Sequence, residues 1–294
     1  MNSAPLHRIA MMLRARPVAL LPSAFEAIDR QLSAAIASRA EGQAGKRADE
    51  PAGQLAARPA PKPPYTLPAP GVASVLLHGV CGRHLSEMAM ECGGCDVDRV
   101  AGAVRAANLD PEVRAIVLDC DSPGGSVAGV ADCARAVRSS EKPVVAYCGD
   151  LCASAAYWIA SQADYVVCGE TAELGSVGVY CAFLDESRAY DKAGLRVDVI
   201  ASGGNKGAGT RGTSLTEEQR DLLQAQINEL AEIFKAAVVS ARPDITATLL
   251  DGRTVVGESA VKAGFADSLG DGAAAVELAL RLSELNPTER NTNE

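Results

Sequence analysis

Four apolar runs of strand length, Val75–Leu77, Ala115–Leu118, Val144–Tyr147 and Tyr165–Val167, alternate with helical segments near residues 96–108, 125–138 and 154–162. Strands that take turns with helices of this length are joined by right-handed crossovers, which bring the chain back parallel to the strand it left. An α/β protein with a mostly parallel main sheet is therefore predicted. A later helix opens on the capping box Thr216-Glu217-Glu218-Gln219. It keeps Leu223, Ile227, Leu230, Phe234 and Val238 on one face until Pro243 stops it.

Upstream of the first strand, Phe25, Ile28, Leu32 and Ile36 follow Ser23 at helical spacing, which predicts a short amphipathic helix over 23–39. From about residue 40 to 70 the composition turns to Ala, Arg, Lys, Gly and Pro. Such a stretch buries too little apolar surface to offset its ordering entropy and reads as a flexible linker. The expected organisation is an N-terminal helical segment (1–40), a Pro/Ala-rich linker (41–71), a main domain (72–280) and a polar tail (281–294).

Charge removes some classes of partner. The chain carries 28 basic and 37 acidic side chains, a net charge of −9. That surface repels phosphate backbones, so no nucleic acid is expected. No apolar run approaches the roughly 18 residues of a membrane helix. The early run Ile9–Leu13 is broken by Arg14 and Arg16, too short for a signal peptide. The expected setting is cytoplasmic. Nine cysteines, an odd number lying in or beside apolar runs, fit buried thiols in a reducing compartment better than a disulfide framework. Cys92-Gly93-Gly94-Cys95 has no second pair at zinc spacing and reads as a glycine turn. No metal and no cofactor are expected.

Four short segments rich in small residues carry the chemistry. Asp121-Ser122-Pro123-Gly124-Gly125 follows a strand, and its glycines let backbone N–H groups face a ligand. Cys152-Ala153-Ser154-Ala155-Ala156-Tyr157 places a serine at a helix start, between neighbours small enough for a carbonyl to approach. Glu173-Leu174-Gly175-Ser176-Val177-Gly178-Val179 leads into a strand, and Ser202-Gly203-Gly204-Asn205-Lys206-Gly207-Ala208-Gly209 embeds a lysine in glycines. The last lacks the Gly-Lys-Ser/Thr ending of a phosphate loop. Taken singly, the first divides evenly between a plain turn and a ligand site, and the other three read better as a helix cap, a plain turn and a solvated loop lysine.

The histidines narrow the choice of base. Only His7, His78 and His84 exist, and none follows Ser154. A serine nucleophile must then pass its proton to another group. Lysine serves if its pKa falls by about three units from ~10.4, a shift of about 4 kcal/mol that burial supplies. A hydroxyl such as Ser176 can orient the amine.

Together the four motifs, in this order, resemble the signal peptide peptidase A family of serine peptidases and its phage and prophage head-maturation branch. The resemblance covers roughly residues 72–275. It includes Leu215-Thr216-Glu217-Glu218 and the late segment Ala263–Gly270, with Phe265 where leucine is usual. It implies a ClpP/crotonase-like β-β-α superhelix in which Ser154 is the nucleophile, Lys206 the general base and Ser176 the lysine-orienting hydroxyl. The N–H groups of Gly125 and Ala155 are implied as the oxyanion hole, with Gly124 the alternative to Gly125. The partners implied are protein or peptide substrates, capsid or scaffold proteins among them, and a homo-oligomeric ring or dome. The function implied is endopeptidase cleavage by a Ser-Lys dyad in capsid or scaffold maturation. General peptide turnover, crotonase-like acyl-CoA chemistry and a non-catalytic capsid subunit are the alternatives.

Overall fold

The alternation of strands and helices read from the sequence is present in the computed structural model, which describes residues 18–20 and 63–285. The helix expected over 23–39, the linker up to residue 62 and the tail beyond 285 lie outside the described residues. In chain order the first elements are β1 (Val18–Leu20), β2 (Thr66–Ala69), β3 (Val72–His78), β4 (Val80–Gly82), α1 (Glu87–Glu91), β5 (Gly94–Asp96) and α2 (Val97–Leu109). Next come β6 (Ala115–Ser122), β7 (Gly124–Ser126), α3 (Val130–Arg138), β8 (Val144–Ala153), α4 (Ala155–Ala160), β9 (Tyr165–Cys168) and β10 (Glu173–Gly175). The chain ends with α5 (Ser187–Lys192), α6 (Glu217–Ala241), β11 (Thr254–Val256), α7 (Gly257–Lys262), β12 (Ser268–Leu269) and α8 (Gly272–Glu284).

The main sheet runs β11-β10-β8-β6-β3-β2, with β9 branching from β8 and pairing β12. Its centre, β3, β6, β8 and β9, is wholly parallel, as the crossovers require. A second sheet, β1-β7-β4-β5, is built around β4 and β7, the short strands that follow β3 and β6, with β5 and the upstream β1 at its edges. The turns β3-β4 and β6-β7 thus each lay one strand in each sheet before a helix returns, the ββα repeat of the superhelix implied by the resemblance.

Side chains alternate across the main sheet. Ala73, Val75 and Leu77 of β3 and Ile116, Leu118 and Cys120 of β6 join the large core with α2, α3 and α4. Val72, Ala115, Val117, Val145 and Val167 face the other way, onto Ala275, Ala279 and Leu282 of α8. In β6 and the first half of β8 both faces are buried, so these strands read as continuous apolar runs.

Several boundaries differ from the sequence reading: Val18–Leu20, placed in the N-terminal helical segment, form β1, and residues 281–284, placed in the tail, end helix α8 with Leu282 buried. Thr66–Ala69, placed in the linker, pairs antiparallel with β3, and the Tyr65 hydroxyl donates to Asp110 at 2.5 Å. That bond, with burial, pushes the Tyr65 phenol up to about 12. Proline density hid this short edge strand, whose alternate N–H groups need no partner. The helix expected from 125 begins at Val130 instead, because Gly124–Ser126 form β7. A Cβ on Gly125 would lie 2.0 Å from the Cys81 carbonyl oxygen, so only glycine lets β7 lie against β4 here.

Helix α6 opens on the predicted capping box, with the Gln219 N–H donating to Thr216 Oγ1 and the Thr216 N–H donating to Gln219 Oε1, both at 3.2 Å. Of its apolar stripe only Phe234 and Val238 are buried; Leu223, Ile227 and Leu230 are half-exposed, because the first turns project from the body. The C-terminal end docks through Phe234, which stacks on Trp158 of α4 at 4.6 Å. Among the described residues no helix is long and apolar enough to cross a membrane.

Just past α6, the buried Arg242 donates through Nη2 to Asp267 Oδ1 at 2.5 Å, while Asp267 Oδ2 accepts the Val166 N–H at 2.7 Å. One carboxylate thus ties the end of α6 to the first residues of β9. Asp267→Ala strands a guanidinium that is almost fully buried and is expected to cost about 3–5 kcal/mol. Urea unfolding monitored by Trp158 fluorescence measures it; a loss below 1 kcal/mol would show that Arg242 finds water instead.

Candidate active site

The segment Asp121–Gly125 turns between the two sheets. The Ser122 hydroxyl donates to the Gly79 carbonyl at 2.6 Å and accepts the Gly124 N–H at 3.2 Å. Ser122 therefore locks the turn and occupies the Gly124 donor. Gly125 follows in β7, fully buried, with its backbone against Cys81.

Ser154 ends β8 and caps α4. It is 1% exposed and holds φ 56°, ψ −119°, a conformation in which a side chain is strained. The strain is held from below, because the Ser154 N–H donates to the Gly175 carbonyl at 2.7 Å. Its side chain makes no capping bond and no other hydrogen bond among the described residues. Ala155 opens the helix behind it, and its N–H has no intrahelical acceptor. Register brings Gly125 towards Ser154: Ser122 pairs with Cys152, and each chain then runs two or three residues to its glycine or serine.

Ser176 directly follows Gly175 and is also buried, with φ 52°. Its N–H donates to the Arg253 carbonyl at 2.7 Å, so β11 holds the turn from the other side. Gly175 itself has φ 111°, and a Cβ there would meet the Phe265 ring at 3.0 Å and the Arg253 carbonyl oxygen at 3.1 Å. Phe265 packs on Tyr157 at 5.3 Å, and the buried Tyr157 hydroxyl donates to the Phe265 carbonyl at 3.0 Å. The late segment Ala263–Gly270 thus supports the helix and turn that carry the two serines. Its motif was visible in the sequence, while this role was not.

The structure gathers Gly125, Ser154, Ala155 and Ser176; it leaves Lys206 outside the group. Lys206 is exposed, and its side chain has no hydrogen bond or ion pair among the described residues. It lines an open cleft of about 400 Å³ with Val199, Ser202, Thr213 and Gln219, a cleft to which neither serine contributes. Its loop is nonetheless placed, because Gln219 Nε2 donates to the Gly204 carbonyl at 2.7 Å and Asn205 Nδ2 donates to Glu218 Oε1 at 3.3 Å. The glycine loop rides on the start of α6. Residues 181–216 form an excursion that turns Leu184, Leu195, Val199 and Ile200 to solvent, Ile200 being 99% exposed.

The other titratable groups stand apart. His78 pairs with Asp119 at 3.4 Å and His84 with Asp98 at 3.3 Å, so neither is hydrogen-bonded to a serine of the group. All nine cysteines are free. Cys92 is exposed and Cys95 buried, so the C-x-x-C does not present two thiols to one side. Cys120, Cys148 and Cys152 lie with their sulfurs within 4.8 Å of one another in the core, a cluster the sequence reading missed. Pairing of Cys120 with Cys148 across β6 and β8 is the signal that would have revealed it. Burial pushes the Cys120 thiol well above its usual range.

The model of peptidase family S49 matches residues 136–286. Head-tail preconnector protein GP5 of Enterobacteria phage P21 is 30% identical over 203 residues, 68% of this chain and 40% of that protein. Capsid assembly protease C of Escherichia phage lambda is 32% identical over 204 residues, 68% of this chain and 46% of that protein. The chain thus spans less than half the length of these two relatives. A solved enoyl-CoA hydratase/carnithine racemase from Magnetospirillum magneticum superposes with a TM-score of 0.45 at 12% identity, over 76% of this chain and 74% of that one. The matched stretch contains Ser154, Ser176 and Lys206, and the chain belongs to peptidase family S49, the signal peptide peptidase A family.

Proposed function

We propose that this chain is a serine endopeptidase in which Ser154 attacks, Lys206 takes and returns the proton, and the N–H groups of Gly125 and Ala155 hold the oxyanion. The observation that carries the reading is the buried, strained Ser154, with an unbonded hydroxyl between Ala153 and Ala155. Strain at a nucleophile persists only where surrounding bonds over-determine it, as Gly175 does here. Engagement of the Gly124 N–H by Ser122 favours Gly125 as the second donor. In the reaction Ser154 Oγ adds to the scissile carbonyl carbon, the C–N bond breaks, and Lys206 protonates the leaving amine. Water then hydrolyses the ester.

The position of Lys206 bears on assembly. A lysine acts as a base only when burial favours its neutral form. The excursion that carries it presents an apolar face to solvent, and the first turns of α6 add Leu223 and Ile227 at half exposure. We read this surface as the contact of a homo-oligomer, in which burial completes the dyad. Names of relatives such as capsid assembly protease C support a role in phage or prophage capsid or scaffold maturation, with a capsid or scaffold protein as substrate. Nine free thiols suit the cytoplasm of a host cell.

The test is cleavage of an unfolded protein by wild type, Ser154→Ala and Lys206→Ala, with new termini mapped by mass spectrometry. Wild type alone is expected to cut, at a rate rising with pH as the base loses its proton. Lys206→Ala should lose at least ~10³-fold in rate while its stability stays within about 0.5 kcal/mol, as expected for an exposed side chain without partners. Mixing the two variants should restore cutting if the oligomer contact completes the dyad between subunits. Equal cutting by all three preparations would remove the dyad.

A further inference from the structure

Strand β1 lies far upstream of the domain in sequence, yet it sits within the site. Val18–Leu20 run antiparallel to β7, with Val18 opposite Ser126, Ala19 opposite Gly125 and Leu20 opposite Gly124. On its other edge the Val18 N–H donates to the Tyr180 carbonyl at 2.9 Å, and the Tyr180 N–H donates to the Val18 carbonyl at 3.0 Å. Val18 is completely buried. Three residues thus fill a strand-wide slot whose walls are the oxyanion strand and the segment just beyond Ser176.

The hydrogen-bond pattern fixes which residue faces the oxyanion donor. Neighbouring residues in a strand turn their N–H and C=O groups to opposite edges. The groups of Val18 are spent on Tyr180, so those of Ala19 face β7, where the opposite residue is Gly125. The carbonyl that meets the Gly125 N–H is therefore that of Ala19. The strand leaves this point towards Gly124, the end of β7 that register brings towards Ser154. A peptide held this way offers the bond between Ala19 and Leu20 for cleavage.

We propose that the N-terminal segment is the enzyme's own first substrate, docked by strand addition and cut between Ala19 and Leu20. The inference rests on the peptidase reading above and adds the bond. Ser154 Oγ adds to the Ala19 carbonyl carbon as its proton passes to Lys206, and the Ala19–Leu20 C–N bond breaks with that proton going to the Leu20 nitrogen. Water hydrolyses the Ala19–Ser154 ester, releasing residues 1–19 with a free carboxylate and restoring the serine hydroxyl. Departure of that piece opens the slot to other extended chains; until then the segment blocks them.

The experiment uses the full chain as wild type, Ser154→Ala and Ala19→Pro, followed by intact mass and N-terminal sequencing. Proline at 19 removes the N–H that faces Gly125 and so breaks the pairing without touching the domain. Wild type is expected to lose residues 1–19 and begin at Leu20, while both variants keep their original N-terminus. A synthetic peptide of residues 14–25 should be cut by wild type at the same bond. Each preparation is also given an unfolded protein substrate. Ser154-dependent cutting of that substrate by wild type that keeps its N-terminus, or is itself cut elsewhere before residue 63, overturns this inference and leaves the peptidase reading standing. Failure to cut either one overturns both.

Discussion

On the proposed mechanism, Ser154→Ala is expected to lower peptide-bond hydrolysis by about 10⁴- to 10⁶-fold, while the fold keeps its stability within about 0.5 kcal/mol. Both halves follow from the same geometry. The serine hydroxyl bonds nothing among the described residues, so its removal orphans no partner. What holds the position is the backbone bond from Ser154 to Gly175, which alanine keeps. Alanine also inherits the strain at φ 56°, so no relief of strain masks the comparison. Initial rates on an unfolded protein, set beside urea denaturation curves, measure the two quantities. Residual activity above about 1% of wild type would mean that another nucleophile does the cutting.

Gly125→Ala should damage both activity and structure. The added methyl would point at the Cys81 backbone, 2.0 Å from its oxygen and 2.6 Å from its nitrogen. Backbone atoms do not swing aside as a flexible side chain does, so β7 must move away from β4. Overpacking of this kind costs about 1–3 kcal/mol. Any displacement of β7 carries the Gly125 N–H with it, and in the oxyanion role proposed for it, loss of one donor costs about 10²- to 10³-fold in turnover. The expected result is a folded, less stable protein whose rate falls at least a hundredfold with little change in KM. Rates near wild type would remove Gly125 from the oxyanion hole.

Much of this was legible in the sequence because the relevant forces are local or periodic. The runs at 115–118 and 144–147 are strands because both sheet faces are buried, and Thr216 with Gln219 closes a capping box by spacing alone. The serine motifs were legible because close backbone approach demands glycine and alanine. What escaped notice depends on contacts distant along the chain. Arg242 and Asp267 look like surface charges until α6 and β9 meet. The three core thiols are neighbours only through strand register. The short strand Val18–Leu20 has no periodicity to reveal it; its position comes from the slot it enters. The exposure of Lys206 could not be read at all, since a glycine loop says nothing about what covers it.

In the proposed mechanism, the twisted backbone at Ser154 and Ser176 sets chemistry against durability. Each is a non-glycine residue held at positive φ, a conformation costing about 1–3 kcal/mol that glycine adopts freely. Selection for folding alone would drive both positions to glycine, through a few nucleotide changes and with a gain in melting temperature. A lineage freed from the need to cut would therefore lose its hydroxyls early, well before its core or its sheets decayed. In such descendants the first trace of a retired enzyme would be two extra glycines in an otherwise unchanged fold.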